Sequence, residues 1–199
     1  MTLQEKISYI IGRDMATNLQ KQGIELESES FTKGLKEVLA GKPSSLSQAE
    51  VQEAMMALQQ EMTQKQGAQG GDNQAAGDAF LSENKNKEGV KALPSGLQYQ
   101  VLQQGSGKSP SSSDKVTTHY HGTLIDGTVF DSSYERGQPA TFPVNGVIAG
   151  WTEALQLMKE GDKWRLFIPA NLAYGAQGAG DVIGPNTALI FDVELISVH

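Results

Sequence analysis

The amino-acid types of this 199-residue chain change abruptly near residue 92, and this change limits the folds that the chain can adopt. Residues 92–199 hold ten of the thirteen aromatic residues and six of the seven prolines. Residues 1–91 are instead rich in Gln, Glu, Lys, Met and Ala. Because aromatic residues favour strands and the second set favours helices, the sequence predicts a helical region followed by a β-rich region.

Three apolar stripes at helical spacing follow one another in the first region. The first stripe begins at Ile7 and the second at Phe31, and the third follows a capping box formed by Ser47 and Glu50. The glycine-rich residues 64–77 then weaken the third helix, because each interior glycine costs about 1 kcal/mol relative to alanine. A single unbroken third helix, from residue 47 to residue 86, would be about 60 Å long.

These stripes provide too little apolar surface for an independent core, so we expect a partner, most simply a second copy of the chain. The methionines of this region could instead form an adaptable binding surface, although packing at a dimer interface is the simpler interpretation. They are Met15, Met55, Met56 and Met62.

Strand patterns dominate the second region. Residues 116–124 and 127–131 meet across an Asp126-Gly127 pair, which is typical of a tight hairpin. Residues 151–159 predict one short helix. Further alternating segments are residues 96–102, 164–168 and 189–195. The second region is therefore predicted to be an antiparallel sheet with one short helix, and the whole chain an α+β protein.

The composition excludes several classes of function. A net charge of −7 provides no basic surface for nucleic acid, and no segment reaches the roughly 18 apolar residues of a membrane-spanning helix. The absence of cysteine excludes disulfides and thiolate nucleophiles. The first residues lack the pattern of a signal peptide, so a cytoplasmic protein is expected. The alternative is a periplasmic protein in its mature form with an added Met.

Two of the three histidines, His119 and His121, lie two residues apart on a predicted strand and therefore share one face. Together with Asp131 they could form the centre of a metal-dependent hydrolase. However, Tyr120 on the opposite face is the aromatic side chain expected to point into the core. The histidines would then point towards solvent without a third ligand, which makes a metal site the less favoured interpretation.

Other polar groups have simpler explanations than catalysis. Asp126 suits its turn, and Asp131 lies five residues before Arg136, with which it could form an ion pair. No Ser–His or Cys–His arrangement indicates a nucleophile. The glycine-rich residues 105–109 and 175–180 lack the spacing and the neighbouring elements of nucleotide-binding loops.

Four segments of the second region carry a specific resemblance to a known family. They are HYHGTLIDGTVFDSS, VNGVIAGWTEALQLMKEGDKW, IPANLAYGAQGAG and IGPNTALIFDVELISV. Over residues 92–199 the chain resembles the FK506-binding-protein (FKBP) type of peptidyl-prolyl cis–trans isomerase. The helical region resembles the bacterial dimeric subgroup of the macrophage infectivity potentiator (Mip) type. The resemblance implies an FKBP-like twisted antiparallel half-barrel sheet around a short helix in residues 92–199. An all-α dimerisation domain would precede it in residues 1–91, with a long connecting helix at about residues 47–88.

The resemblance also implies a pocket between the sheet and the short helix. Trp151 would form the floor under a proline ring, and the Ile148 N–H and the Tyr174 hydroxyl would bond ligand carbonyls. The family pattern often has an aromatic residue where this chain has Ala140 and a histidine where it has Ala179. Neither a metal nor another cofactor is implied. The implied catalytic residues are Tyr120, Phe130, Asp131, Ile148, Trp151, Tyr174 and Phe191. The residues implied to bind substrate or macrolide are Arg136, Phe142, Val147 and Ile183.

The implied function is acceleration of Xaa-Pro isomerisation in unfolded or partly folded, proline-containing polypeptides, with inhibition by macrolides such as FK506 or rapamycin. This reaction breaks no covalent bond, and its obstacle is the amide resonance barrier of ~18–20 kcal/mol. An apolar pocket favours the twisted amide, because twisting removes the charge separation of the planar form. A non-catalytic dimeric chaperone or binding module with the same pocket is the main alternative, and a purely structural dimeric protein is another.

Overall fold

The computed structural model describes residues 1 to 199, which form two compact units, Met1–Lys65 and Gln66–His199. Helix α1 (Leu3–Lys21), helix α2 (Ser28–Leu39) and the first part of helix α3 (Gln48–Asn84) belong to the amino-terminal unit. The rest of α3, a seven-stranded antiparallel sheet and one further helix belong to the carboxyl-terminal unit. The predicted α+β class, with a helical region before a β-rich one, is confirmed.

The helix ends follow from local side-chain and backbone chemistry. The predicted capping box is present before α3: the Glu50 N–H donates to the Ser47 hydroxyl over 3.3 Å, and the Ser47 N–H donates to the Glu50 carboxylate over 2.8 Å. Helices α1 and α2 end shortly before Gly23 and Gly41, whose φ angles of 73° and 63° favour glycine. These interactions define the helices without any contribution from a core.

The amino-terminal unit buries none of its residues. The predicted apolar stripes are present on its helices, but this single chain does not cover them. Ile10 and Leu35 are exposed, and Val38 keeps 77% of its accessible surface. None of the helices of the protein has an apolar segment long enough to span a bilayer.

Helix α3 is continuous from Gln48 to Asn84 and passes through the glycine-rich residues 64–77 without interruption. The sequence predicted a weak point here, because glycine stabilises a helix poorly. Two of these glycines are buried against the carboxyl-terminal part of the chain. A Cβ on Gly77 would lie 3.0 Å from the Cβ of Ala188, so the absence of a side chain permits close packing.

The strands of the sheet are β1 (Val90–Ala92), β2 (Gln98–Gln103), β3 (Lys115–Leu124), β4 (Val129–Ser132), β5 (Ala140–Pro143), β6 (Lys163–Ile168) and β7 (Leu189–Val198). Their order in the sheet is β1-β2-β6-β7-β3-β4, and β5 also pairs with β3. The Asp126-Gly127 turn joins β3 and β4 as predicted, with a φ of 89° at Gly127. The sequence patterns missed β1 and β5, because three or four residues are too few to show alternation and neither strand adjoins a hairpin dipeptide such as the Asp126-Gly127 pair beside β4.

The main core lies between helix α4 (Ala149–Leu157) and one face of the sheet. Gly150 permits this contact, because a Cβ there would lie 2.6 Å from Ile168 Cγ2. The alternation predicted for residues 189–195 is confirmed, since Leu189, Phe191, Val193 and Leu195 are all buried. A smaller outer cluster contains Leu81, Phe167 and Ala188, with Phe80, Val90, Ile125 and Ile190 packed around it.

Candidate active site

A cavity of about 690 Å³ opens beside helix α4. Strands β3, β4, β5 and β7, the turn before α4 and the loop after Tyr174 supply its other walls. Ten of the eleven site residues predicted from the sequence line it, and the eleventh, Arg136, holds two of the lining side chains from outside. The ten are Tyr120, Phe130, Asp131, Phe142, Val147, Ile148, Trp151, Tyr174, Ile183 and Phe191.

Trp151 is the centre of the aromatic part of this cavity. Its side chain is only 4% exposed, and its ring centroid lies 5.2 Å from that of Phe191 and 5.4 Å from those of Tyr120 and Phe142. All three neighbouring rings meet it edge to face, an arrangement that favours aromatic pairs beyond their buried area. The floor of the cavity is therefore a rigid aromatic surface.

Gly122 on β3 makes room for a second aromatic pair. The rings of Phe130 and Phe191 meet edge to face with centroids 5.3 Å apart. A Cβ on Gly122 would lie 2.7 Å from the Phe130 ring and 2.8 Å from the Phe191 ring. This glycine is a residue of the site that the sequence analysis missed, because it carries no side chain to contribute chemistry.

Asp131 is held in one position by two polar neighbours. The Tyr120 hydroxyl donates to Asp131 Oδ2 over 2.6 Å, and the Arg136 guanidinium forms an ion pair with Oδ1 of the same carboxylate. Arg136 Nη2 also donates to the Tyr120 hydroxyl over 2.6 Å. The ion pair with Arg136 that the sequence suggested is present, and the Tyr120 hydroxyl is a second partner of the same carboxylate.

The ionisation of this group follows from the same contacts. Burial alone would raise the pKa of Asp131, but the hydrogen bonds from Tyr120 and Arg136 and the guanidinium charge outweigh burial and lower it. The pKa of Tyr120 is raised, first by burial and then by its hydrogen bond to Asp131. Asp131 is therefore a carboxylate and Tyr120 a neutral phenol at neutral pH.

Two hydrogen-bond donors at the cavity remain available. Neither the Ile148 N–H, at the residue preceding α4, nor the Tyr174 hydroxyl donates to another group of the protein. Tyr174 lies at the opening and is 41% exposed. A ligand carbonyl placed in the cavity would therefore find donors that do not have to give up a protein partner.

Comparison with known proteins agrees with this geometry. A family model described as FKBP-type peptidyl-prolyl cis-trans isomerase matches residues 106–196, and one described as the domain amino terminal to it matches residues 4–101. The FKBP-type 22 kDa peptidyl-prolyl cis-trans isomerase of Escherichia coli is 44% identical over 99% of this chain and 96% of its own length. The chain belongs to the FKBP-type peptidyl-prolyl cis–trans isomerase family.

Two further similarities cover almost the whole chain. The peptidyl-prolyl cis-trans isomerase Mip of Coxiella burnetii is 48% identical over 99% of this chain and 87% of its own length. The crystal structure of FkpA from Escherichia coli has a TM-score of 0.73 and 39% identity, and the match covers 98% of this chain and 94% of that one. The resemblance to the Mip subgroup that was read from the sequence is thus confirmed.

The histidines of this FKBP-type chain lie away from the cavity. His119 Nδ1 lies 3.0 Å from the Ser133 hydroxyl, and the His119 ring stacks on Tyr134 with centroids 4.6 Å apart. His121 Nδ1 lies 3.1 Å from the Ser132 hydroxyl. No three His, Cys, Asp or Glu side chains converge in a geometry that could hold a metal, so His119, His121 and Asp131 do not form the hydrolase centre that the sequence left as a less favoured alternative.

In the wall formed by the loop after Tyr174, the sequence analysis identified only Ile183 as a site residue and named Ala179 only as a departure from the family pattern. This loop is ordered by backbone contacts: the Ala179 N–H donates to the Ile183 carbonyl over 2.8 Å, and the Ile183 N–H returns the contact over 3.2 Å. Its only sequence signal was a glycine-rich run, which also fits a flexible loop. The lining residues that the sequence analysis did not name are Gly180, Asp181 and Val182 in this loop and Gly146 in the turn before α4.

Proposed function

We propose that the protein catalyses cis–trans isomerisation of Xaa-Pro bonds in polypeptides. The observation that carries this proposal is the aromatic cavity above Trp151, which combines an apolar floor with two available hydrogen-bond donors. The relatives whose names include this activity also support it. The family does not favour the alternative of a non-catalytic chaperone.

The proposed chemistry needs no nucleophile. A proline ring would lie on Trp151, and the Ile148 N–H and the Tyr174 hydroxyl would bond the flanking carbonyls. In the twisted amide the nitrogen lone pair is no longer conjugated, so the charge separation of the planar bond is lost. A cavity with water excluded by Phe130 and Phe191 then favours the twisted state over the planar one, which lowers the barrier.

Asp131 would contribute an oriented negative charge beside the twisting bond. The Tyr120 and Arg136 contacts fix its position and keep it ionised. Because these contacts exist before a ligand binds, their reorganisation adds nothing to the barrier. Macrolides such as FK506 or rapamycin would compete for the same cavity.

The decisive experiment is cis-to-trans relaxation of a short Xaa-Pro peptide with and without the protein. Uncatalysed relaxation takes about 10–100 s, so acceleration is easily measured. The expected result is acceleration that FK506 abolishes. A folded protein that leaves the relaxation rate unchanged would refute catalysis and favour the chaperone alternative.

We also propose that two copies of the chain associate through the amino-terminal unit. Its helices bury no residue, although they carry apolar stripes, and a second copy would cover them. Sedimentation equilibrium tests this proposal, and a purely monomeric protein would contradict it. A dimer would present two cavities to one unfolded chain, which raises the effective concentration of the second contact.

The proposed clients are unfolded or partly folded polypeptides that contain proline. The cytoplasmic location expected from the first residues stays a prediction. Cell fractionation with periplasmic and cytoplasmic marker enzymes would test it.

A further inference from the structure

Helix α3 contacts the rest of the carboxyl-terminal unit through an unusual set of residues. Its buried residues are Gly70, Gly77, Leu81 and Asn84, and intervals of seven, four and three place them on one face. Leu81 joins the outer apolar cluster. The two glycines have no side chain to bury, so at these positions the helix backbone itself makes the contact.

The segment in contact with this face is residues 184–188, which we call the anchor segment. A Cβ on Gly77 would lie 3.0 Å from Ala188 Cβ, and a Cβ on Gly70 would lie 3.3 Å from Asn186 Nδ2. The anchor segment also contains a glycine that approaches the helix closely, because a Cβ on Gly184 would lie 3.0 Å from Asn73 Nδ2. Glycines on both sides of the contact therefore set the distance between helix and anchor segment.

Two hydrogen bonds cross this contact in opposite directions. Asn73 Nδ2 donates to the Pro185 carbonyl over 2.8 Å, and Asn186 Nδ2 donates to the Gly70 carbonyl over 3.3 Å. Asn186 has a φ of 55°, and it is the one residue other than glycine with a positive φ. This conformation costs energy for most side chains and is tolerated best by asparagine, so surrounding contacts must hold it in place.

The anchor segment directly follows the cavity wall formed by residues 179–183. Ile183 and Ala179 exchange two backbone hydrogen bonds, which close this wall into a small loop. The Asn186 N–H donates to the Gly175 carbonyl over 2.8 Å, next to Tyr174. The anchor segment is thus joined to the wall at Ile183 by the chain itself, and the Asn186 hydrogen bond joins it to Gly175 at the start of the same loop.

We propose that Asn73 and Gly77 of helix α3 are positioning residues for the cavity, and that they act through the anchor segment on Ile183. Neither residue lines the cavity. The proposal rests on the proposed function, since it names residues that set the geometry of the same site. It predicts that a change on α3 loosens one wall of the cavity and leaves the sheet intact.

Amide hydrogen exchange on the full chain tests the mechanical part of the proposal. In Asn73→Ala, exchange at the Ala179 and Ile183 amides is expected to become about threefold to tenfold faster, while the Val193 amide in the sheet is unchanged. Asp72→Ala, at an exposed neighbouring position, is the matched control. Rates equal to the control would overturn the proposal, and so would faster exchange at all three amides.

A second pair of variants tests the packing contact independently. Gly77→Ala adds a Cβ against Ala188 and is expected to give the same local acceleration at Ala179 and Ile183. In the double variant Gly77→Ala/Ala188→Gly, removal of the Ala188 Cβ makes room for the new Cβ at position 77. Amide exchange at Ala179 and Ile183 is expected to return to the slower wild-type rates. If the double variant exchanges these amides as fast as Gly77→Ala does, the distance between residues 77 and 188 does not control the order of the wall.

Binding and kinetics then connect the wall to the activity. FK506 affinity is expected to fall about threefold to tenfold in Asn73→Ala, and the KM of a short Xaa-Pro peptide to rise with kcat unchanged. In an Ile183→Ala background, Asn73→Ala should reduce FK506 affinity by a smaller factor, which a double-mutant cycle would measure. An equal loss in both backgrounds would overturn the coupling. Wild-type protein without FK506 binding or isomerase activity would overturn the proposed function, whereas the exchange rates would still decide whether α3 holds the wall.

Discussion

The two units differ in how much of their apolar side-chain surface they bury. Sixteen of the twenty-four large hydrophobic side chains that are exposed lie within Met1–Lys65, and only eight lie within the longer unit, Gln66–His199. The longer unit buries a continuous core from Leu97 to Leu195, whereas the shorter one buries nothing. Local signals such as caps and periodicity define its helices, but they do not supply a core.

This difference separates two kinds of stability. The carboxyl-terminal unit has its own buried apolar residues, which provide the main favourable free energy of folding. The stability of the amino-terminal unit should instead depend on protein concentration if two copies associate as proposed, because a second copy would stabilise it by mass action. The following predictions test that contrast, beginning with the largest expected effect.

A charge on the exposed apolar stripe should abolish association. Leu35→Asp places a carboxylate where a second copy would bury a leucine, so sedimentation should change from the mass of two chains to that of one. Acceleration of refolding of a proline-limited protein should fall by about tenfold or more, because bivalent contact is lost. Ser30→Asp, which adds the same charge in the first turn of α2, is the matched control and should remain dimeric. Leu35→Asp should still accelerate the relaxation of short peptides at the wild-type rate, because the cavity lies in the carboxyl-terminal unit. An equal loss of activity on short peptides would contradict this separation of the two units.

Removal of one aromatic wall should affect chemistry without affecting association. Phe130→Ala opens the cavity to water, and kcat/KM for a short peptide should fall about tenfold to a hundredfold, which corresponds to about 1.4 to 2.7 kcal/mol. Val129→Ala, the exposed neighbour on β4, should retain wild-type kinetics. A folded Phe130→Ala protein with wild-type turnover would remove the physical basis of the proposed mechanism.

The pH dependence should follow the lowered pKa of Asp131. Its ionised form is stabilised in the folded protein, so its contribution is present above the unfolded value of roughly 4 and is lost as pH falls through the lower folded value. FK506 affinity should therefore be constant from about pH 8 to about pH 5. Asp131→Asn should bind about threefold to tenfold more weakly at neutral pH. A titration of wild-type affinity with a midpoint near pH 6 would show that another group controls binding.

The smallest expected effect is a substrate preference caused by the charge of Asp181. The charged side chains lining the cavity are Asp131, which has its ion pair, and Asp181, which is exposed and forms none. Peptides with Lys before proline should therefore be turned over about twofold to threefold faster than peptides with Glu, and salt should weaken the preference. Asp181→Asn should remove it. A preference that survives in this variant would have to come from another part of the protein.

Much of the fold was predictable, because its strongest signals are local. The Asp126-Gly127 turn, the capping box at Ser47 and the alternation from Leu189 each depend on neighbours within a few residues. The continuity of α3 was not predictable in this way. Gly77 is unfavourable within its own helix, and only contact with Ala188, more than a hundred residues away, explains its presence.

The residues of the candidate site also differ in whether the sequence alone could identify them. Large or charged side chains such as Trp151, Phe130 and Asp131 were identified from the family resemblance, and all of them line the cavity. Gly122 and Gly146 contribute only shape. No chemical property of the residue type marks such a position, so the geometry of the folded chain was needed to find them.

The outer cluster around Leu81 determines where the chain can be shortened for inhibitor screening. A fragment beginning at residue 92 would lose Leu81 and expose Phe167 and Ala188, which are 5% and 3% exposed in the full chain. Such a surface would promote self-association and would attract hydrophobic compounds that have no affinity for the cavity. A fragment beginning at Gln66 retains the covering helix, and we expect it to be the better reagent for crystallisation and for screening.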